Sequence, residues 1–248
     1  MQYPSKRPFW TKVDQLTTQF INLVLPPTCA SCGQVGLLIC DACRVQLEPI
    51  GKATCGQCGK RMPQNSPTHF CRSCKKRPFP LQAIRAAFHY RPPLTQIIHR
   101  LKYNHAFALA QPLAQLMSNE WAKWQTPIDL IMPVPLHPAR KKKRGYNQSE
   151  LLAQAFGLLL NIPIDTKRLV RQRNTRPQVE LSAAERTLNM QNAFAVPKQL
   201  SPVRILLIDD VATTGATLSA AAAALRANGA TAVSAFCLAR ALPGQHKS

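Results

Sequence analysis

Ile205-Leu206-Leu207-Ile208-Asp209-Asp210-Val211-Ala212-Thr213-Thr214-Gly215-Ala216-Thr217-Leu218 is the stretch on which the reading of the fold turns. Four consecutive Ile and Leu residues predict a strand buried on both faces, the pattern of a parallel sheet covered by helices. Two carboxylates end the run. A turn of Thr, Thr, Gly and Thr follows, then an alanine-rich helical run to about Ala227, with Asn228-Gly229 placed as a C-terminal cap. The acidic pair is therefore expected at the carboxyl end of a strand, facing the start of a helix.

That arrangement suits a phosphorylated sugar. Backbone N–H groups and the positive end of the helix dipole favour a phosphate at a helix N-terminus. Thr213, Thr214 and Thr217 add hydroxyl donors, and Gly215 allows close backbone approach, so residues 212–217, with Ala212 and Ala216, form the expected phosphate cradle. Asp209 and Asp210 repel a phosphate, so their expected partners are sugar hydroxyls or a divalent cation held through water. A plain strand-turn-helix unit with a solvated acidic end accounts for a lone apolar-Asp-Asp run. It accounts less well for the full Asp-Asp, Thr-Thr-Gly-x-Thr order, which resembles the phosphoribosyl pyrophosphate (PRPP) loop of type I phosphoribosyltransferases.

The 248 residues suffice for one α/β domain plus a small module. A formal charge of +21, from 32 Lys and Arg against 11 Asp and Glu, points to an anionic partner larger than one phosphate, nucleic acid first. The excess is spread along the chain: residues 1–80 carry 11 basic and 3 acidic side chains, and residues 128–200 carry 12 and 5. A generally basic proteome is the plainer explanation. No segment approaches the roughly 18–20 apolar residues that span a bilayer. The short apolar patch at 20–25 does not read as a secretory signal, so the chain is expected to be cytoplasmic.

Trp10, Val13, Leu16, Phe20 and Val24 recur at helical spacing and predict an amphipathic helix over 10–24, packed on the module that follows. A membrane-surface role is the sharper alternative, but Lys12 is the only basic residue between 8 and 28. Four Cys-x-x-Cys pairs come next: Cys29/Cys32, Cys40/Cys43, Cys55/Cys58 and Cys71/Cys74. Each spacing puts two thiolates on one tetrahedral zinc, and in a reducing compartment such pairs indicate metal rather than disulfides. The first and third pairs precede Gly and the second and fourth precede a basic residue. This internal repeat favours two sequential four-cysteine sites over an interleaved pairing. So small a module buries little core, whereas a structural zinc site contributes on the order of 10–16 kcal/mol apparent. The zinc role expected is structural.

Beyond a linker at 75–80, residues 83–90 predict a strand, 94–103 a helix, and 106–124 another helix, kinked or restarted at Pro112. Residues 127–135 predict a second buried strand, running into Arg140-Lys141-Lys142-Lys143-Arg144 and a helix through Leu160. Val134, Pro135, Arg140 and Arg144 thus frame a second anion site, suited to a polyphosphate, with a cis Pro135 open. Residues 162–170 predict a third strand. Arg173 and Arg176 lie in a basic stretch, read as a flap over bound phosphates or as a solvated linker, before a helix at 180–192. Residues 231–240 predict a closing strand with Cys237 in the core. His99 and His105 are expected on the surface or at helix caps.

The whole set resembles the ComF family: the four cysteine pairs, Pro-Val-Pro-x(8)-Arg-Gly-Tyr-Asn-Gln at 133–148, Arg-x-x-x-Thr-x-Pro-Gln at 171–178, Glu185-Arg186 with Asn189, and the Asp-Asp loop. The resemblance covers residues 26–240. It implies an α/β type I phosphoribosyltransferase-like parallel sheet with helices on both faces, preceded by a cysteine-rich double zinc ribbon. The expected division is 1–25 helix, 26–80 zinc ribbon and 81–248 phosphoribosyltransferase-like domain. Also implied are a role in competence, DNA uptake or DNA utilisation, PRPP with Mg²⁺ as ligand, single-stranded DNA as partner, and other DNA-uptake proteins as further partners. In that reading Asp209 and Asp210 are the catalytic pair and hold ribose hydroxyls, Thr213–Thr217 take the 5-phosphate, and Arg144 and its neighbours take the pyrophosphate. An active transferase releasing pyrophosphate is the alternative, but no nucleobase pocket is legible, so its acceptor is unassigned.

Overall fold

The computed structural model describes residues 26–51, 53–63, 69–76, 80–124, 126–172 and 193–241. The expected helices at 10–24 and 180–192, and Arg173 and Arg176, lie outside the described residues. Two short helices, α1 (Asp41–Val45) and α2 (Arg72–Lys76), belong to the cysteine-rich segment. Then come β1 (Ile84–His89), α3 (Leu94–Tyr103), a 3₁₀ turn (Phe107–Leu109), α4 (Ala110–Trp121), β2 (Leu130–Pro133), α5 (Pro138–Arg144) and α6 (Gln148–Leu160). β3 (Val170–Arg171), β4 (Phe194–Ala195), β5 (Val203–Ala212), α7 (Ala216–Ala227) and β6 (Ala230–Arg240) complete the order.

β1, β6, β5 and β2 lie side by side in that order, and every neighbouring pair is parallel. Ile84, Ala235, Leu207 and Met132 stand in register across the sheet. All four are apolar and buried because helices cover both faces. On one face Ile97, Ile98 and Leu101 of α3, Met117 and Trp121 of α4, and Leu152 and Phe156 of α6 pack on Ile131, Leu206, Ile208 and Leu238. Trp121, Phe156 and Phe236 form an aromatic trio there, edge-to-face between Trp121 and Phe156 and tilted in the other two pairs, with ring centroids 5.1–6.2 Å apart. On the other face Leu218, Ala221, Ala222 and Leu225 of α7 pack on Ile205, Leu207 and Val233. Each fully buried Leu or Ile stabilises by about 1.5–3 kcal/mol.

The ribbon segment is docked on the edge of this sheet. Ile50 N–H donates to Ala87 O (2.9 Å) and His89 N–H to Glu48 O (2.8 Å), an antiparallel bridge that covers the outer edge of β1. Lower down, Ile84 N–H donates to Gln57 O, and Gly59 lies so close that a Cβ there would sit 2.5 Å from Ile84 O. Its φ of +66° is a second reason for glycine.

Several expectations need correction. β5 does not end at the carboxylates but continues to Ala212, so Asp209 and Asp210 sit inside its last turn of pairing with β6. The five cations are helical, in α5, which His137 caps by accepting Ala139 N–H at Nδ1. The strand expected at 162–170 reduces to one parallel bridge, Ile164 to Ile131, before the short β3. Pro163 interrupts the ladder, and the Asp165 side chain, which accepts Lys167 and Arg168 N–H, turns the chain after it. The 106–124 helix restarts at Ala110, which places Pro112 in the first turn, where its missing N–H costs nothing. Pro135 is trans; the cis bond among the described residues is Pro92–Pro93. α3, α6, α7 and Cys237 fall where the sequence puts them.

Candidate functional site

The cysteines resolve into two groups, Cys29/Cys32/Cys40/Cys43 and Cys55/Cys58/Cys71/Cys74, with the Sγ atoms of each group within 4.8 Å of one another. None is in a disulfide. The sequential pairing is thus the one the fold adopts. Cys32 and Cys40 Sγ lie 3.6 Å apart, and Cys58 and Cys71 Sγ 3.7 Å. A tetrahedron with Zn–S of about 2.3 Å has edges of about 3.8 Å, so the donor set fits zinc. Cys40 N–H points at Cys29 Sγ (3.5 Å) and Cys71 N–H at Cys55 Sγ (3.3 Å). Although burial opposes ionisation, these amides bring both thiols down to about 6, into the thiolate form that a metal needs. Arg85, from β1, donates to Gly56 O (2.7 Å) and stands 4.5 Å over the Trp124 ring, tying the second knuckle to the sheet.

The acidic pair is organised by the start of α6. Asn147 caps that helix, accepting Ser149 N–H (3.1 Å), and its amide donates to Val134 O (3.0 Å), which pins the end of β2 to the helix. Tyr146 OH donates to Leu101 O, anchoring the same corner to α3. The two residues that follow then meet the carboxylates: Ser149 Oγ donates to Asp209 Oδ1 (2.7 Å), and Gln148 Nε2 to Asp210 Oδ1 (3.2 Å). Gln148 Oε1 in turn accepts from Arg144, whose guanidinium stands 5.0 Å over the Tyr103 ring.

The two aspartates differ. Asp210 is buried, and Lys102 Nζ lies 2.5 Å from its Oδ2 as an ion pair. Burial would raise the Asp210 carboxyl, but the Lys102 charge overrides it and holds it below the ordinary carboxylate range. Asp209 is only half-buried by exposed area, yet burial and then the Asp210 charge push its carboxyl up to about 7. Both hydrogen bonds to Asp209, from Ser149 Oγ and from Asp210 N–H (3.0 Å), fall on Oδ1. Among the described residues no hydrogen bond reaches its Oδ2.

Beyond the pair, Gly215 takes the left-handed conformation (φ +81°) and opens α7 in place of a capping side chain. Thr214 is exposed, and its Oγ1 accepts Ala216 N–H (3.3 Å); Thr213, Ala216 and Thr217 are half-buried, and Ala212 and Gly215 are buried. Of the polyphosphate-side residues, Val134 is buried and Pro135, Arg140 and Arg144 are half-buried.

Sequence reasoning missed Lys102, Gln148, Ser149 and Arg171. Arg171 is buried at β3, 5.6 Å over the Phe194 ring; burial first, then the Arg140 charge, brings its guanidinium down to about 10, while Asp209 opposes the drop. Gln148 closes the Arg-Gly-Tyr-Asn-Gln block and Ser149 follows it, and that polar run opening an apolar helix was the available signal. Lys102 gave none, since it follows the buried Leu101 on a helix whose apolar face alone was legible. No helix among the described residues is long and apolar enough to cross a membrane.

The double zinc ribbon domain family matches residues 20–76. Among solved structures, the B. subtilis glutamine PRPP amidotransferase shares 19% identity at a TM-score of 0.37, over 52% of this chain and 26% of that one. The Pyrococcus horikoshii purine phosphoribosyltransferase shares 16% at 0.31, over 53% and 73%. These scores are too low to carry a functional inference. Sequence relatives are nearer. The "DNA utilization protein YhgH" of Salmonella typhi is 35% identical over 210 residues, 82% of this chain and 91% of that protein. "Competence protein F" of Haemophilus influenzae is 34% identical over 212 residues, 82% and 90%. "Competence protein ComFC" of Streptococcus pneumoniae is 29% identical over 206 residues, 82% and 87%. With an N-terminal double zinc ribbon set on a parallel α/β sheet and relatives matched along nearly their whole length, the chain belongs to the ComF family.

Proposed function

We propose that this chain works in DNA uptake, competence or DNA utilisation by binding single-stranded DNA and a phosphoribosyl ligand such as PRPP. The observation that carries the ligand is Asp209. Its Oδ1 is fixed by Ser149 and the backbone, which leaves Oδ2 to accept from a sugar hydroxyl beside the glycine-opened N-terminus of α7. Asp209 and Asp210 form the reacting pair, with Asp210 held charged by Lys102. Residues 212–217 take the 5-phosphate. Val134, Pro135, Arg140 and Arg144 line the pyrophosphate side, to which Arg173 and Arg176 are assigned from the sequence alone. The described residues offer no cluster of three carboxylates, so Mg²⁺ is expected to arrive on PRPP oxygens and water, neutralising the pyrophosphate. The division at 25 and 80, a cytoplasmic location and contacts with other DNA-uptake proteins belong to the same proposal.

Single-stranded DNA is favoured by the +21 charge and by five consecutive cations at 140–144. If each of the five takes one phosphate, log affinity falls against log salt with a slope of roughly −3.5. Fluorescence anisotropy of labelled oligothymidylate measures that slope; a flat response removes DNA from the proposal. PRPP should slow amide exchange over 213–218, and unchanged exchange there removes the ligand assignment.

The second reading is a working transferase. It is favoured by the Asp209 carboxyl near 7, poised to take a proton from an incoming acceptor at neutral pH. Pyrophosphate release from PRPP across a panel of bases and amines tests it, and silence throughout leaves binding alone.

A further inference from the structure

A cleft of about 1090 Å³ opens between the ribbon loop 48–63 and the carboxyl-terminal ends of β1 and β6. Its walls include Arg61 from the ribbon, His89 from β1 and Arg240 from β6. His89 and Arg240 are register partners on adjacent parallel strands, which brings their side chains together. Arg240 is 8% exposed, yet its Nη1 is buried without a hydrogen-bond partner, and so is His89 Nδ1. None of the ion pairs among the described residues involves Arg240. The one wall carboxylate, Glu48, is already paired with Arg91 at 3.0 Å.

A buried donor left unmet costs about 1–3 kcal/mol, and more when it is charged. Water can satisfy the hydrogen bond but cannot neutralise a guanidinium taken out of solvent. The position therefore calls for an anion. Two guanidinium groups and an imidazole from three elements suit a tetrahedral anion, and arginine's planar fork matches phosphate oxygens.

We propose that this ribbon–sheet cleft is a phosphate-binding site formed by Arg61, His89 and Arg240. It shares no residue with the Asp209 site but stands beside it, since Arg240 is the register partner of Ala212 at the end of β5. The phosphate belongs either to a small free anion or to a nucleic-acid backbone, and joining the ribbon to the sheet edge gives such a backbone a path between the two.

The test uses the full zinc-loaded chain, with its histidine ring signals followed by NMR and His89 assigned through His89→Gln. Inorganic phosphate is titrated in one arm and oligothymidylate without terminal phosphates in the other. A saturable shift of the His89 signals in either arm supports the site, and the responding arm names the source. Arg61→Gln, an exposed change, should weaken that binding at least about tenfold, as should Arg240→Gln if it retains zinc and fold. Asp209→Asn should leave it unaltered, which separates this site from the PRPP proposal. No His89 shift in either arm, or full affinity in Arg61→Gln, overturns it.

Discussion

Replacing Lys102 with methionine keeps the length of the side chain and removes the only cation paired with Asp210 among the described residues. Asp210 is 5% exposed and stands beside a second carboxylate, so the change strands a buried charge. Breaking a buried ion pair from one side costs about 3–5 kcal/mol; Lys102 retains 22% side-chain exposure, and the lower end, about 3 kcal/mol, is the expected loss. For a chain of this size that lowers Tm by roughly 6–12 °C. The loss should depend on pH. In the wild type the folded Asp210 pKa is depressed, so its contribution is present above the unfolded value of about 3.9 and is lost as pH falls through the lower folded value. Without Lys102 that pKa is no longer depressed, and burial raises it. The deficit is then largest at pH 8 and shrinks as protons reach the pair below about 7, where Asp209 already takes one. Calorimetry of zinc-loaded protein at pH 8 and pH 5 measures this, with Lys102→Met/Asp210→Asn expected to recover most of the loss. An unchanged Tm at pH 8, a deficit equal at both pH values, or no recovery in the double variant would refute the reasoning.

Other consequences are equally direct. Gly59→Ala should destabilise by about 2 kcal/mol or more, because the new Cβ meets Ile84 O at 2.5 Å at a φ of +66°; denaturant unfolding reads it, and a neutral result contradicts the docking of ribbon on sheet. Arg85→Gln removes the donor to Gly56 O and the charge over Trp124; chelator competition should find one of two zinc ions leaving sooner, whereas equal loss of both would show no such tie. Ser149→Ala deletes a hydrogen bond that favours ionised Asp209, so carboxyl NMR should place its midpoint above about 7; a fall would reverse the assigned role.

The sheet was legible because its strands are buried on both faces: Leu130–Met132 and Ile205–Ile208 are unbroken apolar runs, and α3, α6 and α7 carry clear caps or apolar periodicity. The cysteine groups were legible because zinc geometry fixes local spacing. What the sequence hid depends on contacts between distant segments. Ser149 and Asp209 are 60 residues apart, Gln148 and Asp210 62. Lys102 reaches Asp210 from α3, far away in the sequence, and no local pattern marks one lysine in a chain with 32 basic residues. The strand expected at 162–170 failed because apolar composition cannot show that Pro163 and the Asp165 turn leave a single bridge.

The central claim is that Asp209, oriented by Ser149, grips a pentose phosphate lodged at the start of α7. Isothermal titration with PRPP and Mg²⁺ tests it most directly, on wild type and on Asp209→Asn with matched zinc content and Tm. One molecule per chain should bind the wild type, and the variant should bind at least about tenfold more weakly, the loss of one charge-assisted hydrogen bond. Equal affinity in the two proteins, or no heat with wild type, would contradict it.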